Sequence, residues 1–370
     1  MKSTDLEAQD HSYSSVIVDR DKFIELLWEI DSQPDVAGLK QRIGFLRDVI
    51  VSCDGHREAW FAEGSTESSV SLRRDVLVSE LNQILEARTI ERARYYLKRL
   101  ERGVKKVKTS GINDINLLRW KEHPEVITDS LWVLARRDSS GSHLGWYWGN
   151  FIPQIPHQLM LRYTKKGDWV LDPFLGSGTT LIECKRLGRN GVGIELSPEV
   201  AGKAEDLIKE EPNREAVTAR VVTGDSRVVE PASTLKSVGT DSVQLLIMHP
   251  PYHDIIRFSA DERDLSNANS TSAFLKMFTE VVDNFTPVLD RGRYFALVIG
   301  DKYSKGEWIP LGFHCMNEVL ERGYSLKSII VKNFEETRAK REQKQLWRYR
   351  ALVGGFYIFK HEYVFLFKKK

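Results

Sequence analysis

Hydrophobic positions divide this chain of 370 residues into two regions with different periodicity. In the first region apolar side chains recur every three or four residues, which predicts a helical N-terminal domain over residues 1–110. Turn-forming residues at 31–35 and 63–69 separate the predicted helices. Residues 111–150 show a weaker pattern and are interpreted as a linker that leads into the second region.

From residue 151 onward, short apolar runs alternate with helical patterns. Strands are predicted at 168–172, 190–195, 217–223, 243–248, 293–299, 325–331 and 361–367. Helices are predicted at about 178–188, 198–210, 271–289 and 311–322. This alternation predicts a Rossmann-like α/β domain over residues 151–370, with a mixed, mostly parallel sheet and helices on both faces. Ligands of such sheets bind at the carboxyl ends of the strands.

Composition excludes several classes of protein. A hydrophobic fraction of 41% is enough for a packed core, and no apolar run is long enough for a transmembrane helix. The N-terminus lacks the apolar region of a signal peptide, so we expect a cytoplasmic protein without a membrane partner. The three cysteines, Cys53, Cys184 and Cys315, are too far apart in sequence to predict a disulfide framework or a zinc site.

The strongest local signal is the string DPFLGSGTT at 172–180, which follows a predicted strand and begins a predicted helix. Gly176 and Gly178 allow a tight turn and a close approach of the backbone to a ligand. The helix that follows offers unpaired N–H groups at its N-terminus. The string lacks the Gly-Lys-Ser/Thr ending of a phosphate-binding loop, so it predicts a different kind of ligand site.

Acidic residues end the next two predicted strands. Glu195 ends the second strand, where an acid can bind the ribose hydroxyls of a nucleoside cofactor. Asp225 follows the third strand and could accept a hydrogen bond from an adenine amino group, although a simple turn explains it nearly as well. These positions predict a nucleoside-containing cofactor.

The fourth predicted strand ends in His249-Pro250-Pro251-Tyr252. The two prolines fix the local backbone, so that carbonyl groups are held as acceptors, and Tyr252 offers a flat face for stacking. This combination suits an exocyclic amino group, whose N–H a carbonyl accepts while its ring stacks on the tyrosine. A purely structural Pro-Pro turn is the alternative.

These motifs together resemble those of the S-adenosylmethionine-dependent amino-group DNA methyltransferases, the DNA methylase N-4/N-6 family. The resemblance covers about 145–370. Within this range, the segments 150–159 and 360–367 also resemble motifs of the family. It implies S-adenosyl-L-methionine as cofactor and catalytic roles for His249, Pro250, Pro251 and Tyr252 at the target base. The cofactor-binding residues that it implies are Asp172, Phe174, Gly176 and Gly178 around the methionine part, Glu195 at the ribose and Asp225 at the adenine. Thr179 is also predicted to bind the cofactor.

His249 departs from the family pattern, in which Asp, Asn or Ser is usual at this position. A neutral imidazole nitrogen can accept the amino hydrogen that an oxygen accepts elsewhere. The substitution leaves adenine N6 and cytosine N4 both open as the target. The glycine motif also precedes the catalytic motif, whereas many relatives with this type of string have the opposite order.

Basic residues concentrate in two segments although the net charge of the chain is only +2. Residues 91–108 contain eight bases and two acids, and residues 331–350 contain seven bases and three acids. Such segments suit a phosphate backbone or form a solvated helix face. The predicted DNA-binding residues in the second segment are Arg338, Lys340, Arg341, Lys344, Arg348 and Arg350, interleaved with Trp347, Tyr349 and Phe356.

The leading hypothesis is a site-specific methyltransferase of double-stranded DNA that acts on a flipped base without a metal ion. A cognate restriction endonuclease is a partner that this hypothesis allows. The alternatives are an RNA amino-group methyltransferase and a degenerate, non-catalytic methyltransferase fold that binds nucleic acid. A protein-glutamine methyltransferase is less favoured because the basic segments suggest a polyanionic partner.

Overall fold

The structure is a computed structural model that describes residues 14–52, 58–62, 66–334 and 344–370. Internal contacts divide the chain into two compact units. Of the described residues, the smaller unit contains those within 14–111 and 115–125, and the larger unit contains 112–114 and those from 126 onward. The site described below lies entirely within the larger unit.

In its described residues, the smaller unit combines four α-helices with a two-stranded antiparallel sheet. Its strands are β1 (Ser15–Asp19) and β2 (Ser69–Arg73), and its helices are α1 (Arg20–Asp31), α2 (Val36–Ser52), α3 (Arg74–Leu85) and α4 (Ile90–Lys105). The helices confirm the expected helical character, but the strand pair was not predicted. Val16 and Val18 are buried on alternate positions of β1. A five-residue strand of this kind is too short to stand out against the helical pattern around it.

The larger unit contains ten strands and seven helices among the described residues. Its strands are β3 (Leu131–Trp132), β4 (Trp169–Asp172), β5 (Asn190–Glu195), β6 (Ala219–Thr223), β7 (Val243–Met248), β8 (Leu289–Ile299), β9 (Lys302–Ser304), β10 (Glu307–Ile309), β11 (Tyr324–Asn333) and β12 (His361–Lys369). Its helices are α5 (Gln154–Tyr163), α6 (Thr179–Leu187), α7 (Pro198–Glu210), α8 (Pro231–Ser237), α9 (Thr271–Phe285), α10 (Leu311–Glu321) and α11 (Lys344–Gly354). Within the described ranges, none of the helices has the length and apolar composition needed to cross a membrane.

Eight of these strands form one mixed sheet in the order β3-β11-β12-β8-β7-β4-β5-β6. Neighbours are parallel except that β12 runs antiparallel to both β8 and β11. The predicted Rossmann-like fold with a mostly parallel sheet is therefore confirmed. Strands β4, β5 and β6 follow one another in one direction, and β7 and β8 continue in the other. The strand order therefore reverses between β4 and β7, where ligands of such sheets bind.

Side chains on the central strands alternate between two cores, one on each face of the sheet. On β7, Leu246 and Met248 pack on one face with residues of α9 and α10. The intervening Leu245 and Ile247 pack on the other face with residues of α5, α6 and α7. Burial on both faces explains why β7 is an almost continuous apolar run in the sequence.

Candidate active site

The glycine loop, residues 173–178, connects β4 to α6. Gly176 and Gly178 have φ angles of +54° and +85°, in the left-handed region that glycine adopts without strain. The carboxylate of Asp172 is buried beneath this loop and accepts hydrogen bonds from the Phe174 N–H at 2.9 Å and the Thr180 hydroxyl at 2.5 Å. Burial raises the pKa of Asp172 to about 6, despite the opposing effect of these two hydrogen bonds.

Glu195 at the end of β5 also contacts the glycine loop. Its carboxylate accepts hydrogen bonds from the N–H groups of Gly176 and Ser197, each at 2.9 Å and each to a different oxygen. Because a carboxylate oxygen can accept two hydrogen bonds, both oxygens retain a position for a ligand hydroxyl. Burial raises the pKa of Glu195, and the two N–H groups partly offset that effect.

Asp225 follows β6 and forms an ion pair with Arg227. The guanidinium donates to both carboxylate oxygens of Asp225, at 2.8 and 3.2 Å, and the Arg227 N–H donates to one of them at 2.9 Å. The carboxylate is therefore held in one orientation by its own turn. A ligand amino group at this position would share the carboxylate with Arg227.

The His-Pro-Pro-Tyr segment leaves the end of β7, next to β4 in the sheet. Pro250 is buried, whereas His249, Pro251 and Tyr252 are partly exposed. The imidazole Nε2 of His249 lies 3.1 Å from the Tyr252 hydroxyl, and its ring meets that of Phe151 edge-on at 5.0 Å. Enclosure by the protein lowers the pKa of His249 to about 4. The imidazole is therefore uncharged near neutral pH.

A buried ion pair lies behind Tyr252. The Tyr252 hydroxyl donates to Glu362 at 2.8 Å, and the ammonium of Lys332 donates to the other oxygen of Glu362 at 2.9 Å. Lys332 and Glu362 are register partners on β11 and β12, and both are more than 90% buried. Burial acts to raise the pKa of Glu362, but the charge of Lys332 and the hydrogen bonds from Lys332 and Tyr252 outweigh it and hold that pKa below its usual range.

One cavity of about 1670 Å³ brings most of the predicted site residues together. Those on its wall are Phe174, Gly176, Thr179, Glu195, Asp225, His249, Pro250, Pro251 and Tyr252. Asp172 and Gly178 are outside this lining. The first is buried under the glycine loop and the second is the N-cap of α6.

Aromatic side chains from two loops complete the cavity wall. Tyr147 and Phe258 stack with their ring centroids 5.6 Å apart, and Phe151 and Trp148 line the same space. A methyl group placed on Gly176 would lie 3.2 Å from the Tyr147 ring. The glycine loop can therefore lie this close to the Tyr147 ring because residue 176 has no side chain.

Sequence reasoning missed the buried partners of Tyr252. Glu362 is an acid inside the apolar run 361–367, and this was the one signal that could have identified it. Lys332 follows the predicted strand 325–331 and gives no such signal. Only the antiparallel pairing of β11 with β12 shows that the two side chains meet.

The predicted DNA-binding residues are only partly described. Arg338, Lys340 and Arg341 lie outside the described residues, and Lys344 begins α11. Arg348 and Arg350 on the same helix are exposed, and the Arg350 guanidinium lies 5.2 Å from the Trp347 ring centroid. Two of the interleaved aromatics, Trp347 and Phe356, line the cavity. Helix α11 therefore connects exposed basic residues to the site.

One group of potential metal ligands occurs among the described residues, formed by Asp138, His143 and Glu183. The Arg186 guanidinium lies 3.3 Å from Asp138 and 3.4 Å from Glu183. The Nε2 of His143 donates a hydrogen bond to the Glu183 carboxylate at 2.6 Å. Because a guanidinium already compensates the two carboxylates, the electrostatics of this group disfavour a divalent cation.

The sequence matches known proteins over part of its length. Residues 86–206 match a family model described as DNA methylase. The type II methyltransferase M.MjaII of Methanocaldococcus jannaschii is 48% identical over 52 residues, which are 14% of this chain and 10% of that protein. The type II methyltransferase M.Cfr9I of Citrobacter freundii is 39% identical over 70 residues, 19% of this chain and 22% of that protein. The matched segments thus span less than a quarter of either relative.

Solved structures resemble the chain more distantly. The TrmN structure from Thermus thermophilus has a TM-score of 0.40 at 15% identity. The similarity covers 60% of this chain and 50% of the TrmN chain. The Aeropyrum pernix fibrillarin structure with bound S-adenosyl-L-methionine has a TM-score of 0.34 at 16% identity, with 55% and 67% covered. The assignment of the Rossmann-like fold rests on the strand order described above and not on these similarities. The family match and the type II relatives show that the matched segments are similar to DNA methylases, in agreement with the resemblance carried by the motifs.

Proposed function

We propose that this chain transfers a methyl group from S-adenosylmethionine to an exocyclic amino group of a base in double-stranded DNA. The observation that carries this proposal is that the glycine loop and the His-Pro-Pro-Tyr segment leave adjacent strands and line one cavity. Its volume of about 1670 Å³ exceeds the roughly 300–1,000 Å³ of most small-molecule sites. Both a nucleoside cofactor and a base can therefore be accommodated.

The cofactor end of the cavity is assigned to the glycine loop and the two acids. S-adenosylmethionine, when bound, supplies an electrophilic methyl group on a sulfonium. Gly176 lets the backbone approach the methionine part, and the remaining acceptor positions of Glu195 suit the ribose hydroxyls. Asp225 accepts from the adenine amino group. Asp172 acts from beneath, because its hydrogen bonds hold the loop in shape.

The target base is assigned to the His249 end. In a duplex the amino group of adenine or cytosine is paired, so the base must be flipped out to reach an enclosed site. His249 and the Pro250 carbonyl accept the amino hydrogens, and the Tyr252 ring stacks on the base. The contribution of these residues is chiefly to align the amino nitrogen with the methyl group.

The DNA backbone is assigned to helix α11. Lys344, Arg348 and Arg350 lie on it, and the aromatic Trp347 of the same helix lines the cavity. Basic residues next to such an aromatic suit phosphate contacts beside an opened base pair. The sequence also predicts DNA-binding roles for Arg338, Lys340 and Arg341, which lie outside the described residues.

Transfer of a labelled methyl group tests the proposal directly. The purified chain is incubated with methyl-labelled S-adenosylmethionine and duplex DNA, RNA or protein, and the labelled polymer is digested to its components. We expect label in DNA, as N6-methyladenine or N4-methylcytosine, which also identifies the target base. Label in RNA, or cofactor binding without label in any polymer, would contradict the proposal.

A pair of histidine variants links that activity to the site. His249→Ala should abolish transfer, whereas His314→Ala should leave it unchanged, since His314 is exposed on α10 and outside the cavity lining. Equal activity of both variants would show that the methyl transfer does not depend on the assigned base site.

A further inference from the structure

Four side chains form a hydrogen-bonded series that ends at the base site. His249 Nε2 lies 3.1 Å from the Tyr252 hydroxyl, which lies 2.8 Å from Glu362, which in turn lies 2.9 Å from Lys332. Glu362 and Lys332 are not among the site residues that the sequence predicted. Two charged side chains in the interior are costly unless they are paired, and these two are paired directly behind Tyr252.

The direction of each hydrogen bond follows from which groups can donate. The Lys332 ammonium only donates, so Glu362 accepts from it and is stabilised as a carboxylate, in keeping with its lowered pKa. An ionised carboxylate only accepts, so the Tyr252 hydroxyl donates its single hydrogen to Glu362. The Tyr252 oxygen therefore accepts from His249, and Nε2 of the imidazole carries the hydrogen.

The neutral imidazole then has its lone pair on Nδ1. With a pKa lowered to about 4, the ring carries only one hydrogen near neutral pH, and Tyr252 has fixed that hydrogen on Nε2. Among the described residues, no hydrogen bond to Nδ1 is formed. Nδ1 is thus the ring nitrogen that is available to accept a hydrogen bond from a ligand at the cavity wall.

We propose that Lys332 and Glu362 are positioning residues which act through Tyr252 to fix the tautomer of His249, so that Nδ1 accepts the amino hydrogen of the target base. The identity of the ligand rests on the proposed function, but the tautomer is a property of the chain alone. The opposite tautomer would present an N–H to the amino group, so that two donors would face each other.

The fixed tautomer also gives the proton of the reaction a destination. The amino nitrogen forms a bond to the methyl carbon, and the carbon–sulfur bond breaks with its electron pair remaining on sulfur. The amino nitrogen, now positively charged, releases one hydrogen as a proton to Nδ1 of His249. The imidazolium that results keeps its Nε2–H bond to Tyr252, and the nearby charge of Glu362 favours it.

An isosteric change at Glu362 should reverse the direction of the hydrogen bonds from Glu362 to His249. In Glu362→Gln the amide oxygen faces the Lys332 ammonium, so the amide NH₂ faces Tyr252 and donates to it. The Tyr252 hydroxyl then donates to His249 Nε2, and the imidazole hydrogen moves to Nδ1. Tyr252→Phe removes the directing hydroxyl without reversing it. The nearly isosteric Gln variant should therefore be more damaging than the loss of the hydroxyl.

Nitrogen NMR of the full chain labelled with ¹⁵N-histidine measures the tautomer at pH 7, and His249→Asn identifies the signals of residue 249. We expect Nε2 to be protonated in the wild type and Nδ1 to be protonated in Glu362→Gln. His253 is an internal reference, since its Nε2 donates to the Ala268 carbonyl at 2.9 Å and its Nδ1 accepts from Lys302 at 2.8 Å. Its signals should not change in either variant.

Kinetics on DNA supply the second measurement. Relative to the wild type, we expect kcat to fall roughly 100-fold in Glu362→Gln and roughly 10-fold in Tyr252→Phe, with cofactor affinity unchanged. A protonated Nδ1 in the wild type, or an unchanged tautomer in Glu362→Gln, overturns the proposal. If Glu362→Gln does not fold, a wild-type tautomer with protonated Nδ1 still overturns it. An expected NMR result without any methyl transfer would overturn the proposed function and leave the tautomer assignment standing.

Discussion

The carboxylate of Glu195 accepts a hydrogen bond from the backbone N–H of Gly176, 2.9 Å away, and so connects the end of β5 to the glycine loop. The same carboxylate accepts from the Ser197 N–H at the start of α7. One acid thus fixes two backbone segments at the cofactor end of the cavity, in addition to the ribose contact proposed for it.

Replacement of Glu195 should therefore weaken cofactor binding in two ways. Glu195→Ala removes the proposed ribose acceptor and leaves the Gly176 N–H without its partner. Hydrogen bonds to a charged group contribute about 1.5–3 kcal/mol, so we expect affinity for S-adenosylmethionine to fall at least tenfold. Calorimetric titration measures this, with Glu199→Ala as the control because Glu199 is exposed on α7. Equal affinity of the two variants would contradict the assignment of the cofactor end.

Asp172 should make the stability of the chain depend on pH. Its pKa rises from the usual 3.8 to about 6 in the folded chain, so the folded form binds the proton more tightly than the unfolded form. The contribution of this group to stability is therefore greatest below pH 4 and is lost as the pH rises through 6. A shift of this size corresponds to at most about 3 kcal/mol.

The variant Asp172→Asn isolates this effect because an amide does not titrate. Its oxygen can still accept from the Phe174 N–H, and its NH₂ can donate to Thr180. Urea unfolding of both proteins between pH 4 and pH 8 should show the variant gaining stability relative to the wild type as the pH rises. Asp206→Asn, at an exposed position on α7, is the control. A difference that is independent of pH would exclude a raised pKa at residue 172.

The two loop glycines should differ in what their replacement damages. A side chain at Gly176 enters the cavity lining beside Tyr147, whereas one at Gly178 lies 3.1 Å from Ile208 in the core. Both positions have positive φ, so valine strains the loop in either case. We expect Gly176→Val to abolish cofactor binding in a folded protein. We expect Gly178→Val both to abolish cofactor binding and to lower the melting temperature.

Calorimetric titration and thermal unfolding distinguish these outcomes. Gly202→Val is the matched control, since a side chain at Gly202 of α7 meets no atom within 4 Å. Wild-type cofactor affinity in a folded Gly176→Val variant would contradict the cofactor assignment. A Gly178→Val variant with the melting temperature of the control would show that the packing against Ile208 adapts at little cost.

The sequence predicted the elements of the sheet better than the contacts between them. Local signals define the strand at 243–248, an almost continuous apolar run, and the glycine string that follows β4. By contrast, the ion pair of Lys332 with Glu362 depends on strand pairing, and no local pattern specifies which residues become opposite one another. The hydrogen bonds of the Asp172 carboxylate could not be predicted from the sequence for a similar reason. Its partners on the loop and on α6 are fixed only by the folded turn.

Helix α11 is the element that we predict to hold DNA. Arg348 and Arg350 are exposed on this helix, and Trp347 of the same helix lines the cavity. The double variant Arg348→Ala/Arg350→Ala should weaken DNA binding at low salt. Each phosphate contact contributes about 0.9 to the slope of log affinity against log salt, so the slope should decrease by about 1.8. Cofactor affinity should not change, because neither residue is in the cavity lining.

A second double variant separates this local effect from a simple change in net charge. Lys209→Ala/Lys236→Ala removes the same charge from exposed positions on α7 and α8, outside the cavity lining. Fluorescence anisotropy with a labelled duplex, measured from 50 to 200 mM salt, should give the wild-type slope for this control. If the α11 variant also keeps the wild-type slope, its two arginines do not contact phosphates. The basic segment 91–108, which contains all of α4 except Ile90, would then be the favoured DNA-binding surface, because it carries eight bases against two acids.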